Sequence, residues 1–150
     1  MRLALYQPDI AQNVGAAIRT AACFGADLDI IGPCGFPLSA KEIWRVAMDY
    51  QLMSAPTVHD DWQAFLENID RPTARLILLT TKATTSLWET PFGADDIILM
   101  GRESAGVPDS VHAEADGHAR IEMSPDARSL NMATAAAIAL AEARRQVGWP

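Results

Sequence analysis

Apolar residues along this chain fall into short unbroken runs, separated by stretches with helical spacing. Met1–Tyr6 (MRLALY), Leu28–Ile31 (LDII), Arg75–Thr81 (RLILLTT) and Ile97–Met100 (IILM) read as strands, and Ala119–Met123 as a shorter one. None alternates apolar with polar, which is the pattern of strands covered on both faces. Asn13–Phe24 carries small and apolar residues at helical spacing and stops at Gly25. Ser39 opens a helix through Lys41, Ile43, Trp44 and Ala47 to about Tyr50, and Asp60–Ile69 predicts another. Ser129–Val147 predicts an alanine-rich last helix with Ser129 as its N-cap. Strands alternating with helices predict an α/β fold, a mostly parallel sheet flanked by helices, in one domain over residues 1–150. Lys82–Asp96 is the longest irregular stretch, of a length that marks functional or mobile loops.

Composition narrows the class. The chain has 150 residues, 49% hydrophobic and 21% charged, as expected for a globular domain with its own core. No run approaches the ~20 apolar residues that span a bilayer, and Met1–Tyr6 is too short for a signal peptide, so a cytoplasmic protein without membrane attachment is expected. Cys23 and Cys34 read as reduced core thiols. His59, His112 and His118 share no ligand spacing with them, so no metal site is expected. The net charge of −7 opposes a broad basic field for nucleic acid, although a local patch, or one assembled from two chains, suffices.

Candidate chemistry lies in the loops that follow strands, where open α/β sheets bind ligands. Leu78-Leu79 runs into Thr80-Thr81-Lys82; Met100 runs into Gly101-Arg102-Glu103-Ser104-Ala105-Gly106-Val107-Pro108; Met123 runs into Ser124–Asn131. Gly101 directly after a strand admits close backbone approach, and Gly106-Val107-Pro108 suits a turn followed by a new helix. The spacing matches neither GxGxxG nor GxxxxGK[ST], which disfavours NAD and ATP. Lys41 and Arg45 stand at i and i+4 and are placed to touch phosphates together; Arg128, Arg144 and Arg145 add charge, the last two also complementing a helix dipole. The small residues of the last helix allow close packing of another helix, from this chain or a second copy.

Three motifs in series resemble the SpoU-like ribose methyltransferases of the SPOUT superfamily, from Tyr6 to Pro150. They are Asn13-Val14-Gly15 with Ile18-Arg19, then Leu99 to Pro108, then Ile121-Glu122-Met123 followed by Ser129-Leu130-Asn131. Tyr6-Gln7-Pro8, Asp49-Tyr50 after Arg45, Thr80-Thr81-Lys82, Pro125–Ser129 and Arg145–Gly148 resemble the short bacterial members that methylate the tRNA wobble nucleotide; no additional N-terminal RNA-binding domain is expected. The chain departs from the pattern at Ala141, where relatives often carry tyrosine, and at Arg102 and Ser104-Ala105.

The resemblance implies a deep trefoil knot in the C-terminal half, S-adenosyl-L-methionine as cofactor, a homodimer, and the anticodon stem-loop of tRNA as partner. The implied target is the ribose of a wobble cytidine or uridine, in leucine tRNAs. It places Leu79, Gly101, Glu103, Ile121, Met123, Ser129 and Leu130 at the cofactor, with Leu79, Ile121 and Leu130 against the adenine and Glu103 ordering the loop or meeting the positive end. Arg19 is implied as the catalytic residue. Arginine stays protonated, so it suits clamping a phosphate and orienting the 2′-oxygen, with the phosphate or a water taking the proton. Asn13, Lys41, Arg45 and Arg128 are implied on the RNA side, Asn13 capping the first helix or holding the loop of Arg19. The residues also leave open rRNA ribose methylation, or a non-enzymatic α/β nucleotide-binding module. A receiver domain is disfavoured, because Tyr6-Gln7-Pro8 offers no acidic pair after the first strand.

Overall fold

A computed structural model describes residues 1–39, 41–47, 50, 55–69 and 73–149. In chain order the elements are β1 (Arg2–Tyr6), α1 (Ala11–Cys23), β2 (Asp27–Ile31), α2 (Lys41–Ala47), β3 (Thr57–His59), α3 (Trp62–Asn68), β4 (Leu76–Leu79), β5 (Ile97–Met100), α4 (Asp109–Glu114), β6 (Gly117–Ala119) and α5 (Met132–Val147). The strands form one six-stranded sheet, ordered β3-β2-β1-β5-β4-β6, with every pairing parallel.

Successive residues of a strand point to opposite faces, so a strand buried on both sides must be apolar at every position. In β1, Leu3 and Leu5 join one core with Val14, Ala17 and Ile18 of α1 and Ala136, Ala139 and Leu140 of α5. Ala4 and Tyr6 join a second core on the other face, with Phe65 of α3 and Val111 of α4. The alanine face of α5 packs within the chain, against α1 and β5. The Gly15 Cα approaches α2 so closely that a Cβ there would sit 2.5 Å from the Ile43 carbonyl oxygen.

Several expectations need correction. The strand predicted at Ala119–Met123 is β6, at Gly117–Ala119. Beyond it, Leu87 N–H donates to the Arg120 carbonyl and Arg120 N–H to that of Thr85, so the loop after β4 takes over the pairing and releases Ile121–Met123 from the sheet. Ser129 does not cap the last helix. Asn131 does, accepting from the N–H groups of Ala133 and Thr134 at 3.0 and 3.2 Å. Asn13 is no cap either; it lies inside α1, which begins at Ala11. Of the two thiols expected in the core, Cys23 is exposed, while Cys34 is half-buried and packs against the core. The predicted run of α2 to Tyr50 crosses residues outside those described, as does Asp49. The edge strand β3 was not expected; it is three residues long and leaves Val58 exposed. Among the described residues no helix is long and apolar enough to cross a membrane.

Candidate active site at the carboxyl ends of the strands

The loops that follow β4, β5 and β6 converge on one cavity of about 430 Å³, within the size range of small-molecule sites. Leu79, Gly101, Glu103, Ile121, Met123, Ser129 and Leu130 all line it, so the structure brings together every residue that the resemblance assigned to the cofactor. Its walls also include Leu78, Met100 and Met132, which give it an apolar floor.

A buried polar tie joins the three motifs. Asn131 Nδ2 donates to Asn13 Oδ1 at 2.8 Å, and Asn13 Nδ2 donates to Glu103 Oε1 at 2.9 Å. The second Glu103 oxygen accepts from the Asp9 N–H at 2.8 Å. Asn13 is 7% exposed, so these bonds satisfy a side chain that water barely reaches. Both Glu103 oxygens are therefore occupied in ordering the loop. Asn13 belongs to this scaffold, and it also lines the cavity.

A second latch closes the same loop. Asp9 accepts from Arg102 Nη2 at 2.6 Å and from the Ser104 hydroxyl and N–H at 2.6 and 3.1 Å. The guanidinium and hydroxyl hold the Asp9 carboxyl at about 2, well below its ordinary range. Gly106 adopts a φ of 67°, and Gly101 lies so near it that a Cβ on Gly101 would meet the Gly106 carbonyl carbon at 2.7 Å. The Gly-x-Glu-x-x-Gly spacing thus makes a tight antiparallel turn between Arg102 and Gly106 at the cavity mouth.

Other candidates lie elsewhere. Arg19 does not line the cavity. It sits six residues beyond Asn13 on α1, which places it roughly 9 Å along the axis and about 120° around it. Its guanidinium carbon stands 5.4 Å from the centre of the Tyr50 ring. Lys41 and Arg45 are exposed on α2. Arg128 lines a separate adjoining cavity. Arg144, expected to add charge in the last turn of the helix, is instead buried, donating to the carbonyls of Phe24 and Gly25 just after α1. Arg145 pairs with Glu142. Sequence reasoning missed Asp9, Arg102 and Asn131 as organisers; an acidic residue after the first strand and an asparagine just before the helical run were the available signals. Among the described residues, no group of three or more His, Cys, Asp and Glu side chains is arranged to hold a metal ion.

Comparison with known proteins agrees with this arrangement. The family described as SpoU rRNA Methylase matches residues 1–141. A tRNA (cytidine(34)-2′-O)-methyltransferase of Beijerinckia indica is 50% identical over 97% of this chain and 91% of its own. A structure described as "Structural insights into the 2-OH methylation of C/U34 on tRNA" superposes with a TM-score of 0.92 at 41% identity, covering 97% of this chain and 94% of that one. An AdoMet-bound rRNA methyltransferase from Sinorhizobium meliloti superposes with a TM-score of 0.86 at 28% identity, covering 96% of this chain and 55% of that one.

Proposed function

The chain belongs to the SpoU rRNA methylase family, and we propose that it transfers a methyl group from S-adenosyl-L-methionine to the ribose 2′-hydroxyl of nucleotide 34 in tRNA. The observation that carries this is the convergence of three separate loops on one cavity, tied through Asn13, Glu103 and Asn131. Position 34 follows from the relatives matched over nearly their full length, which act on cytidine or on C/U at that position. The rRNA enzyme shares just over half of its own chain with this one, so tRNA is favoured over rRNA. Leucine tRNAs are the proposed substrates within that class.

The cavity suits the cofactor. Its walls combine apolar side chains with polar groups such as Asn13, Glu103 and Asn131, and the absence of a Cβ at Gly101 is what lets the loop close. When bound, the cofactor supplies a methyl group made electrophilic by its sulfonium. Leu79, Ile121 and Leu130, which line the cavity, would hold the flat adenine, and main-chain groups beside Gly101 and Met123 would offer hydrogen bonds to it. The Glu103 carboxylate, fixed by Asn13 and Asp9, keeps the loop in place against that ring. Arg19 grips the phosphate next to the target ribose and sets the 2′-oxygen in line for attack. The hydroxyl proton leaves to that phosphate or to water, because the guanidinium is already protonated.

Arg19 stands away from its own chain's cavity, which supports a homodimer in which each Arg19 serves the cavity of the other copy. We also propose the threaded chain typical of the resemblance. After β6, at the sheet edge, the chain must return past the ends of β4 and β5 to reach α5 against α1. The test is transfer of labelled methyl to tRNA from a strain lacking this enzyme, with mass spectrometry to locate the mark. A protein that binds S-adenosylhomocysteine yet labels no undermodified tRNA pool would not have this function.

A further inference from the structure

Beside the cofactor cavity lies a second one of about 330 Å³, which shares Thr81, Ile121 and Met123 with it. Two arginines, Arg120 and Arg128, line this neighbour. Both are exposed, on a protein whose overall charge is −7. A local pair of guanidiniums therefore offers a polyanion a favourable contact on this otherwise acidic protein.

On the segment bonded to the Arg120 backbone stands Trp88, 54% exposed. Its position is built rather than incidental. It belongs to a single 3-10 turn, Leu87–Glu89, whose Leu87 is fully buried and whose Trp88 N–H donates to the Ser86 hydroxyl. Ser86 bridges to Arg120, and Leu87 N–H donates to the Arg120 carbonyl at 2.7 Å, so the turn is stitched to the arginine's own backbone. Glu122, also in the cavity wall, lies 4.0 Å from Arg120. Its charge faces that of Arg120, and the Trp88 indole, on a turn held by its backbone, leaves ring surface open to solvent.

We propose that this second cavity is a subsite for single-stranded RNA, in which Arg120 and Arg128 flank a phosphodiester and an unpaired base stacks on Trp88. The inference rests on tRNA being the substrate and adds how the nucleotides around the methylated ribose are held. A stacking platform accepts any base, and guanidiniums accept any phosphate, so the subsite contributes affinity and placement more than base selection. It also gives the long irregular segment between β4 and β5 a role, since Trp88 lies within it.

The experiment uses the full chain and an unmodified anticodon stem-loop RNA, with binding read by fluorescence anisotropy independently of methyl transfer. Trp88→Ala is expected to weaken RNA binding by about tenfold, in the range of one lost base–aromatic stack, while Trp88→Phe stays within about twofold of wild type. Replacing Arg120 and Arg128 together by glutamine should lower the salt dependence, with log Kd losing a slope of about 0.7 for each phosphate contact. Affinity for S-adenosylhomocysteine, by calorimetry, should not change in any of these variants. Equal RNA affinity in wild type and Trp88→Ala overturns the subsite. So does a Trp88→Ala protein whose monomer–dimer equilibrium shifts while its RNA affinity stays put, since the indole would then be a subunit contact. Loss of the parent function looks different: wild type would then bind the stem-loop without methylating it.

Discussion

Two arginine–aspartate pairs at opposite ends of the sheet show where this fold keeps its chemistry. At the amino ends of β4 and β5, Arg75 grips Asp96 with a two-pronged contact, Nε to Oδ1 at 3.0 Å and Nη2 to Oδ2 at 2.6 Å, and also donates to the Pro91 carbonyl. At the carboxyl end, Arg102 reaches Asp9 through Nη2 alone, and its Nε is the one buried side-chain nitrogen or oxygen without a partner among the described residues. The first pair is complete and closes a surface. The second closes a loop over a cavity and leaves the Arg102 Nε without a protein partner. The sheet is thus closed by a complete ion pair at one end and opens onto a cavity at the other. Ligands in parallel sheets bind at that second end.

Variants that act on the carboxyl end should therefore lose chemistry, and those at the amino end only stability. The largest expected effect is Arg19→Ala, which should lower methyl transfer by on the order of 10²–10³-fold, as removing one oriented charge contact does, while the Kd for S-adenosylhomocysteine stays unchanged. Gly101→Ala comes next. Its Cβ would meet the Gly106 carbonyl carbon at 2.7 Å, so the turn must part, and calorimetry should show cofactor-product affinity down about tenfold. Mixing these two impaired proteins, with cofactor below the weakened Kd of the Gly101→Ala cavity, sharpens the dimer proposal: mixed dimers holding one intact Arg19 and one intact cavity should regain part of the activity. No recovery after subunit exchange would place both in the same chain's site.

Asn13→Ala and Arg75→Ala test the comparison directly. Removing Asn13 strands the Asn131 amide and one Glu103 oxygen, which at about 2 kcal/mol lowers Tm by roughly 4–8 °C and weakens S-adenosylhomocysteine binding with it. Removing Arg75 strands the nearly buried Asp96 carboxylate and should lower Tm similarly, with no change in cofactor-product affinity. If Arg75→Ala weakened that affinity as much as Asn13→Ala, the two ends of the sheet would not be separate in function.

Much of this was legible in the sequence, for a physical reason. Strands buried on both faces must be apolar throughout, so Leu3 to Tyr6 and Ile97 to Met100 declare themselves without neighbours. The loops after them were legible because Gly101 and Gly106 mark a turn that side chains would obstruct. The short strand β3 was not, because Val58 faces solvent and a three-residue edge strand has no pattern to read. The end of β6 was hidden for a different reason. Ile121 and Met123 look like strand residues, but their apolar surface faces the cavity, and what stops the strand is Leu87 of a distant loop. Likewise, nothing local tells Ser129 from Asn131 as the cap; the choice is made by Asn13, more than a hundred residues earlier. Residues that bind through contacts distant in sequence, as Asp9 does to Arg102 and Ser104, leave no periodic trace.

The smallest expected effect belongs to that last latch and shows in acid. The Arg102 guanidinium and the Ser104 hydroxyl hold Asp9 at about 2 in the folded chain, below the ordinary value of 3.8 that an unfolded chain would show. A carboxyl depressed by folding stabilises the native state above its unfolded pKa, and that contribution disappears as pH falls through the folded one. Asp9 therefore adds stability that is complete above about pH 4 and is lost between there and about pH 2. Glu142, held at about 2 by Arg145 and Gln146, adds to the same acid limb from its ordinary 4.5. Asp9→Asn should thus be less stable than wild type at neutral pH, with the gap narrowing steadily in urea unfolding from pH 5 down to 2.5. The pair is partly exposed, so the gap at neutral pH should be small, on the order of 1 kcal/mol or less. Glu142→Gln is the matching control, because its ion pair lies on α5 away from the cavity; it should shift the acid limb without touching cofactor-product binding, whereas Asp9→Asn should loosen that binding by a few-fold. A gap that stayed constant across this pH range would mean that Asp9 acts through shape and hydrogen bonding alone, and that its charge has no part in holding the loop.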